Sequence, residues 1–134
     1  MSIIDRDKEW KERLSPLAYN VTRRGGTERP FSGKHYLEER DGNYHCICCN
    51  HLLFTSEMKY NSGCGWPAFH TEHEDAGIIR IVDLSHGMSR IEVRCGSCEA
   101  HLGHVFEDGP REHGGERYCI NSVCLDFIVE GEDG

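Results

Sequence analysis

Short apolar segments separated by polar turns recur along most of the chain. In residues 88–95, apolar Ile91, Val93 and Cys95 alternate with charged residues, and this period of two is typical of a half-buried antiparallel strand. Similar patterns predict strands over residues 78–83, 117–122 and 125–129, and a hairpin of residues 35–37 and 44–46 around a turn at 41–43. Many short strands separated by turns predict a mainly β domain with antiparallel sheets.

One short helix is expected before the strands. It is indicated by three apolar residues at helical spacing, Trp10, Leu14 and Leu17. Asp5 or Asp7 is expected to cap its start, and Pro16 is expected to end it. The glycines and proline of residues 20–34 predict an ordered loop, and a second Gly-rich loop is predicted over residues 62–69.

Length and charge narrow the possible classes of protein. The 134 residues contain no internal repeat, so we expect one domain over residues 7–130, with a frayed tail from 130 to 134. Acidic residues outnumber basic ones 23 to 15 and the formal charge is −8, which argues against binding nucleic acid or anionic lipid. No apolar run approaches the roughly 20 residues of a membrane span. The first residues lack the features of a secretory signal, and we expect a cytoplasmic protein.

Four of the eight cysteines have the spacing of a metal site. Two Cys-x-x-Cys pairs can together supply the four thiolates that structural Zn²⁺ prefers, and a complete shell of four ligands leaves no position open for catalysis. The expected ligands of one structural zinc ion are Cys46, Cys49, Cys95 and Cys98. Cys48 lies between two of them and is an alternative to Cys49. Four free buried cysteines are the alternative to a metal site.

Cys119 lies in a predicted strand in which Arg117, Cys119 and Asn121 share one face. A guanidinium group beside a thiol favours the thiolate, which is the nucleophilic form. A buried cysteine beside a surface arginine is the alternative explanation of the same pattern.

The Gly-rich loop contains a second candidate thiol, Cys64. Its flanking glycines allow the movement that a resolving cysteine needs to attack a sulfenic acid. Trp66 in the same loop fits either a binding wall or the core. Further along the chain, His101 and His104 with Asp108 nearby suit acid–base chemistry or binding of a polar substrate. A structural role is the alternative for either histidine.

Three segments resemble the methionine-R-sulfoxide reductase (MsrB) family. They are GCGWPAF at residues 63–69, RCGSCEAHLGHVF at 94–106 and GERYCINS at 115–122, and the resemblance extends from about Trp10 to Ile128. It implies two antiparallel sheets, likened to a barrel or tent, with a structural four-cysteine zinc. Two positions depart from the family pattern. Ala68 stands where many members have serine. Cys124 stands where relatives have a small residue, and it is expected to lie on the face opposite to that of Cys119 if the strand is continuous.

The resemblance also implies roles for individual residues. Cys119 occupies the position of the nucleophile, Cys64 that of the resolving cysteine and Trp66 that of the residue packing against the substrate methyl group. The polar groups around substrate and nucleophile are then His101, His104, Asp108, Arg117 and Asn121. Cys48 and Cys124 are left without a role.

The implied activity is the reduction of methionine-R-sulfoxide, in proteins and possibly free, in the repair of oxidised proteins. It proceeds through a Cys119 sulfenic acid and a Cys64–Cys119 disulfide that thioredoxin or a similar dithiol reduces. The chain is expected to be a monomer that binds neither nucleic acid nor membrane.

Two other classes of protein compete with the hypothesis of a sulfoxide reductase. A zinc-knuckle module binding protein or RNA leaves the Cys64 loop without a purpose, and a zinc hydrolase or deaminase needs an open coordination position.

Overall fold

The computed structural model of the chain describes residues 3–130, and the tail predicted beyond residue 130 lies outside this range. Two helices precede nine strands. The helices are α1 (Ile3–Arg13) and α2 (Pro16–Arg24). The strands are β1 (Gly42–Cys46), β2 (Leu52–Thr55), β3 (Lys59–Tyr60), β4 (Ala68–Phe69), β5 (Ile79–Asp83), β6 (Arg90–Arg94), β7 (His101–Phe106), β8 (Arg117–Ile120) and β9 (Leu125–Val129). None of the helices in the described range is long and apolar enough to cross a membrane.

The prediction of a single N-terminal helix was wrong. Pro16 begins a second helix rather than only ending the first, because proline suits the first helical turn and Ser15 Oγ accepts the Ala18 N–H at 3.1 Å as an N-cap. Gly25 ends α2 with φ of +73°, so the first residues of the predicted loop at 20–34 are helical. Leu17 lies in this second helix and is 48% exposed.

The capping residues predicted for the first helix do not precede it. The described part of α1 begins at Ile3, so Asp5 and Asp7 both lie inside the helix.

The smaller sheet has the strand order β2-β1-β9 and is antiparallel. The predicted hairpin is wrong in its first half, because residues 35–37 form turns and β1 pairs instead with β2 and β9. The backbone N–H of His35 donates to Ser122 Oγ at 2.9 Å, and the Tyr36 carbonyl accepts from Lys59 Nζ at 2.8 Å. Because side chains take these backbone groups, the segment has no need of a strand partner.

The larger sheet is also antiparallel and has the order β3-β4-β8-β7-β6-β5. The strands predicted over residues 78–83, 88–95 and 117–122 are confirmed with shorter ends, and the strand predicted over 125–129 is confirmed with the same ends. Strands β2, β3, β4 and β7 were not predicted, and β4 lies at the end of the loop predicted over residues 62–69. The two sheets and the mainly β architecture agree with the predicted fold class.

Aromatic rings join the two sheets. Phe54 of β2 stacks on Phe69 of β4 with ring centroids 4.1 Å apart, and Tyr44 of β1 meets Phe69 edge-on at 5.1 Å. All three rings are fully buried. On the larger sheet, Tyr118 and Ile120 point toward this core, so alternate residues of β8 are left on the opposite face.

Glu28 is a buried acid that joins three parts of the chain. It is 2% exposed, and burial raises the pKa of its carboxyl group. Its N–H donates to Asn121 Oδ1 at 3.0 Å, and its carbonyl accepts from Trp66 Nε1 at 3.1 Å. Its Oε1 accepts from the Val123 N–H at 2.9 Å. The segment after α2 is thereby connected to the Trp66 loop and to the turn after β8.

Replacing Glu28 by Ala is expected to lower the free energy of unfolding by about 1–3 kcal/mol, because the Val123 N–H loses its buried acceptor. Glu28→Gln retains a side-chain carbonyl oxygen for this bond and is expected to lose less. Denaturant unfolding followed by circular dichroism measures both changes. Glu39→Ala, at an exposed acid in the loop that follows, is the matched control. Equal unfolding midpoints for Glu28→Ala and Glu39→Ala would contradict the prediction.

Candidate active site

One face of the larger sheet brings together the polar residues of four strands. Cys119 of β8 lies opposite Ala68 of β4 and His104 of β7. Arg117 lies opposite Phe106, and Asp83 of β5 lies opposite Arg90 of β6. Because side chains two residues apart share a face, the pleat aligns Cys119 with Arg117 and His104 with Phe106. Arg117 and Cys119 therefore share a face of the sheet as predicted, whereas Asn121, predicted to share it, lies just beyond the end of β8.

The Cys64 loop places the second thiol against the first. The Sγ atoms of Cys64 and Cys119 are 3.8 Å apart, a separation that a small movement converts into a disulfide bond. Gly63 and Gly65 have φ of +78° and +94°, and a Cβ on Gly65 would lie 2.8 Å from Cβ of Pro30. The glycines thus allow a tight turn that ordinary residues rarely adopt. Both sulfur atoms belong to partly exposed residues.

The two thiols share one proton. The hydrogen bond with Cys119 lowers the pKa of Cys64 to about 5, and the same bond, together with burial, raises the pKa of Cys119. Arg117 acts in the opposite direction on Cys119 and lowers its pKa. With the thiols in contact, Cys64 therefore bears the negative charge. Separating the two sulfur atoms would leave Arg117 as the charged neighbour that favours a Cys119 thiolate.

Arg117 is held in place by Asp108 and Phe106. Its Nε and Nη2 donate to the two carboxylate oxygens of Asp108 at 2.8 and 3.2 Å. This pairing lowers the pKa of Asp108, and the guanidinium lies 4.5 Å from the centre of the Phe106 ring. Asp108, predicted to act near the histidines, instead contacts Arg117. Its side chain is 66% exposed, so the geometry assigns it to orienting the guanidinium.

A small cleft of about 100 Å³ lies over Cys119. Its lining residues are Thr27, Trp66, Arg90, Gly103, His104, Phe106, Cys119 and Asn121. Trp66 is half-buried, and its indole N–H is bonded to the carbonyl of Glu28. The indole ring is thus fixed as one wall of a cleft whose size suits a methyl-sulfur group. The structure places Trp66 at the surface of this cleft rather than in the core.

The two predicted histidines have different environments. His104 lines the cleft, and its Nε2 lies 2.8 Å from Asp83 Oδ2. Hydrogen bonds from Ser85 and His104 lower the pKa of Asp83, which keeps its carboxylate ionised beside the imidazole. His104 is therefore placed to move a proton within the cleft.

His101 is 7% exposed and is absent from the residues that line the cleft. Its Nδ1 lies 2.7 Å from Glu92 Oε2, and burial lowers its pKa, with Glu92 acting against this. Its ring centre is 5.8 Å from that of His104 in an edge-to-face arrangement. A direct contact between His101 and substrate is not supported by this position, and the ring instead packs against His104.

Asn121 lines the cleft, but its amide is already used by the backbone. Nδ2 donates to the Leu102 carbonyl at 3.0 Å, and Oδ1 accepts the Glu28 N–H. The residue is 4% exposed. These bonds hold β7 and the Glu28 segment around the end of β8, so Asn121 shapes the cleft beside the position of Cys119.

Several contributors to the site were missed by the sequence predictions. They are Thr27, Glu28, Asp83, Arg90, Glu92 and Phe106. Asp83 and His104 are far apart in the sequence, so no local motif signals that this carboxylate pairs with the imidazole. Only the pairing of β5, β6 and β7 brings Asp83 to the histidine.

The four predicted zinc ligands form one cluster. The Sγ atoms of Cys46, Cys49, Cys95 and Cys98 all lie within 4.8 Å of one another. Two of the distances, Cys46–Cys98 and Cys49–Cys95, are 3.7 and 3.6 Å. A tetrahedral zinc ion with Zn–S bonds of about 2.3 Å requires sulfur atoms roughly 3.8 Å apart. The donor set and spacing therefore fit one Zn²⁺, and none of the four residues lines the cleft.

The two knuckles share the same local geometry. In each, the residue after the second cysteine donates its N–H to the carbonyl of the first cysteine at 2.8 Å, from Asn50 to Cys46 and from Glu99 to Cys95. Asn50 and Glu99 have φ of +64° and +63°. Matching turns at the ends of β1 and β6 thus aim four thiols at one point.

The remaining two cysteines are not part of this set of four, although the Cys48 thiol lies within hydrogen-bonding range of Cys46 and Cys98. Cys48, considered as an alternative to Cys49, is outside the cluster and 4% exposed, and its carbonyl accepts a hydrogen bond from Arg13. Cys124 is fully buried, and its Sγ donates to the His101 carbonyl at 3.2 Å. The continuous strand expected around Cys124 is absent, because a short 3₁₀ turn over Ser122–Cys124 separates β8 from β9.

The larger sheet presents two adjacent thiols at a small cleft, apart from the four-cysteine cluster, and thiols at this distance can form a disulfide by exchange. The model of the SelR domain family matches residues 14–129. Relatives named peptide methionine sulfoxide reductase MsrB are closely similar. The relative from Pseudomonas putida (strain GB-1) is 60% identical over 119 residues, which cover 89% of this chain and 90% of the relative.

The relative from Pseudomonas syringae pv. syringae (strain B728a) is 58% identical over 121 residues, covering 90% of this chain and 92% of the relative. The relative from Pseudomonas entomophila (strain L48) is 60% identical over 120 residues, covering 90% of this chain and 91% of the relative. The chain belongs to the MsrB family, and its class is that of an oxidoreductase. The family resemblance of the sequence is confirmed.

Proposed function

We propose that residues 7–130 form a reductase domain that converts methionine-R-sulfoxide in proteins and peptides, and free methionine sulfoxide, to methionine. The observation that supports this most directly is the pair of Cys64 and Cys119 sulfur atoms 3.8 Å apart at a cleft walled by Trp66. One thiol can take the oxygen from the substrate, and the other can then resolve the product without leaving the site.

The first step is attack of the Cys119 thiolate on the sulfoxide sulfur. The S–O bond of the substrate breaks, and the oxygen ends on Cys119 as a sulfenic acid, with one proton supplied within the cleft. The substrate sulfur gains two electrons and Cys119 loses two. A substrate between the thiols would remove the contact that raises the pKa of Cys119 and leave Arg117 as its charged neighbour. His104, beside Asp83, is placed to supply the proton.

The second step is attack of the Cys64 thiolate on the sulfur of the sulfenic acid. The Cys64–Cys119 disulfide forms, and the sulfenic oxygen leaves as water after taking a proton. Besides the contact with Cys119, hydrogen bonds with Ser62 and the Trp66 backbone, together with the charge of Arg117, also lower the pKa of Cys64, and these neighbours remain when Cys119 is a sulfenic acid. An external dithiol, for which thioredoxin is our candidate, then reduces the disulfide by exchange and restores both thiols.

The four-cysteine cluster has a separate purpose in this proposal. Cys46, Cys49, Cys95 and Cys98 would hold one Zn²⁺, which supplies a cross-link between the ends of β1 and β6. The matching knuckles support a structural site. The zinc ligands and the redox pair must both stay reduced at rest, so we propose that the protein works in the reducing cytoplasm. We also propose that it is a monomer.

Replacing Cys64 by Ser is expected to separate the first step from recycling. The variant should release one methionine per chain and then stop, because its Cys119 sulfenic acid has no partner thiol. The wild-type protein, exposed to methionine-R-sulfoxide without reductant, should lose two hydrogen atoms by mass spectrometry, with peptides mapping the bond to Cys64 and Cys119. Cys124→Ser is the control and should behave as wild type. Full multiple turnover by Cys64→Ser with thioredoxin, or a disulfide mapped to Cys124, would overturn the assignment.

A further inference from the structure

The guanidinium of Arg90 contains a buried hydrogen-bond donor without a partner. Among the described residues that line the cleft over Cys119, Arg90 contributes an Nε that is shielded from solvent and bonded to nothing. A buried donor left unpaired is unfavourable, and the large majority of such groups in proteins find a partner. Because Arg90 lines the cleft, a ligand oxygen that reaches this nitrogen after a small shift of the side chains that cover it would supply the missing acceptor.

The side-chain N–H donors of Trp66 and Asn121 in the cleft already have acceptors, and His104 has a polar partner. The indole N–H of Trp66 is bonded to the Glu28 carbonyl, and Asn121 Nδ2 donates to the Leu102 carbonyl. His104 Nε2 lies beside Asp83 Oδ2. A ligand with a strong acceptor would thus meet Arg90 Nε as the N–H available to it without breaking a bond within the protein.

Asp83 holds this guanidinium in position. Its Oδ2 is 3.4 Å from Arg90 Nη2 and 2.8 Å from His104 Nε2. Because Asp83 and Arg90 are directly opposite on β5 and β6, the contact is fixed by the sheet rather than by a flexible loop. One carboxylate oxygen therefore positions both the arginine and the imidazole toward the same small cleft.

We propose that the Nε–H of Arg90 binds the oxygen of the sulfoxide substrate, an inference that rests on the proposed function. The S–O bond is strongly polar, and its oxygen is a good acceptor with partial negative charge. The cleft of about 100 Å³ that contains Cys119 leaves little room for other parts of a substrate. Negative charge on this oxygen increases as the Cys119 thiolate adds to sulfur, so a fixed cation at the oxygen stabilises the transition state more than the ground state.

The same contact determines which epimer is reduced. Trp66 provides an apolar wall for the methyl group, and Arg90 provides a cationic donor for the oxygen. With Cys119 directed at sulfur, these fixed groups define the three positions that distinguish one configuration at sulfur from its mirror image. No proton leaves Arg90, and the balance of atoms and electrons in the first step is unchanged.

The test compares Arg90→Met and Arg90→Lys with wild type on the R-sulfoxide of a blocked methionine. Arg90→Met should lower kcat/KM by about 100-fold, the size of effect seen when one donor to a developing oxyanion is removed. Arg90→Lys retains the charge without the planar donor and should be intermediate. Arg80→Met is the matched control, because Arg80 on the neighbouring strand pairs with Glu116 in a solvent-exposed position, and it should retain wild-type kinetics.

A second measurement separates oxygen binding from a purely structural role. Dimethyl sulfoxide and dimethyl sulfide differ only in the oxygen, and wild type should be inhibited more strongly by the sulfoxide. Arg90→Met and Arg90→Lys should reduce this preference. In a Cys64→Ser background, iodoacetamide should alkylate Cys119 at the same rate whether residue 90 is Arg, Met or Lys. Unchanged kcat/KM in Arg90→Met, or equal weakening of both inhibitors, would overturn the proposal. Failure of wild type to reduce the R-sulfoxide would instead overturn the proposed function.

Discussion

Replacing Cys119 by Ser is expected to reduce turnover of methionine-R-sulfoxide by more than about 10³-fold, to the background rate. The hydroxyl of serine has no accessible anionic form near neutral pH, and its oxygen cannot form the sulfenic acid or the disulfide that the proposed cycle requires. The substitution changes a single atom of a partly exposed side chain, so the fold should be retained. Release of methionine from the blocked R-sulfoxide, measured by chromatography, is the assay.

Two measurements distinguish loss of chemistry from loss of structure. The Cys119→Ser variant should bind the same amount of zinc as wild type and unfold at a similar temperature. Cys124→Ser, at a buried thiol outside the cleft, should remain active. Sustained turnover by Cys119→Ser would exclude Cys119 as the nucleophile and direct attention to Cys64, whose pKa is lowered to about 5 in the resting pair.

Replacing Cys95 by Ser is expected to cause loss of bound zinc and of cooperative unfolding. Apparent binding free energies of structural zinc in small peptides are about 10–16 kcal/mol, comparable with the entire stability of a typical domain, about 5–15 kcal/mol. Cys95 is fully buried at the start of the second knuckle, and the serine hydroxyl is not among the side-chain ligands that zinc ordinarily binds in proteins. Zinc content by atomic emission and thermal unfolding by circular dichroism measure the two effects.

Cys48→Ala is the matched control for the metal site. Cys48 is buried in the first knuckle but lies outside the four-sulfur cluster, and the variant should keep one zinc ion per chain. Chelation of the metal from wild type should reproduce the unfolding seen with Cys95→Ser. A Cys95→Ser protein that lacks zinc yet melts at the wild-type temperature would show that the cluster contributes little to the fold.

Local patterns along the chain were sufficient for part of the fold. Strands β5, β6, β8 and β9 were predicted because each places apolar and polar residues in a short, regular segment. Strand β7 was missed because four of its first five residues are buried, which obscures a period of two. Gly103 is one of these buried residues, and β8 packs tightly against it: a Cβ there would lie 2.0 Å from the Cys119 carbonyl oxygen. The second helix was missed because Pro16 both ends one helix and begins another.

The candidate site was predicted unevenly for a related reason. The thiols, Trp66 and the zinc ligands are recognisable by residue type and spacing within short motifs. Asp83, Glu92 and Arg90 have no such motif, because acids and arginines on a β-strand are common at solvent-exposed positions. Their importance follows from the residues they face, and those residues belong to other strands.

The sequence by itself determined the class of fold and the four cysteines of the metal cluster, because these depend on residue type and local spacing, and its resemblance to the MsrB family implied the two thiols of the proposed redox pair. Only the tertiary structure decided that Cys64 meets Cys119, that His104 is paired with Asp83 while His101 is paired with Glu92, and that Cys124 is buried in a turn. It also placed Arg90, with its unpaired donor, among the residues that line the same cleft as Cys119. These are contacts between strands, and the register of a folded sheet sets them, whereas the pattern within any one strand does not.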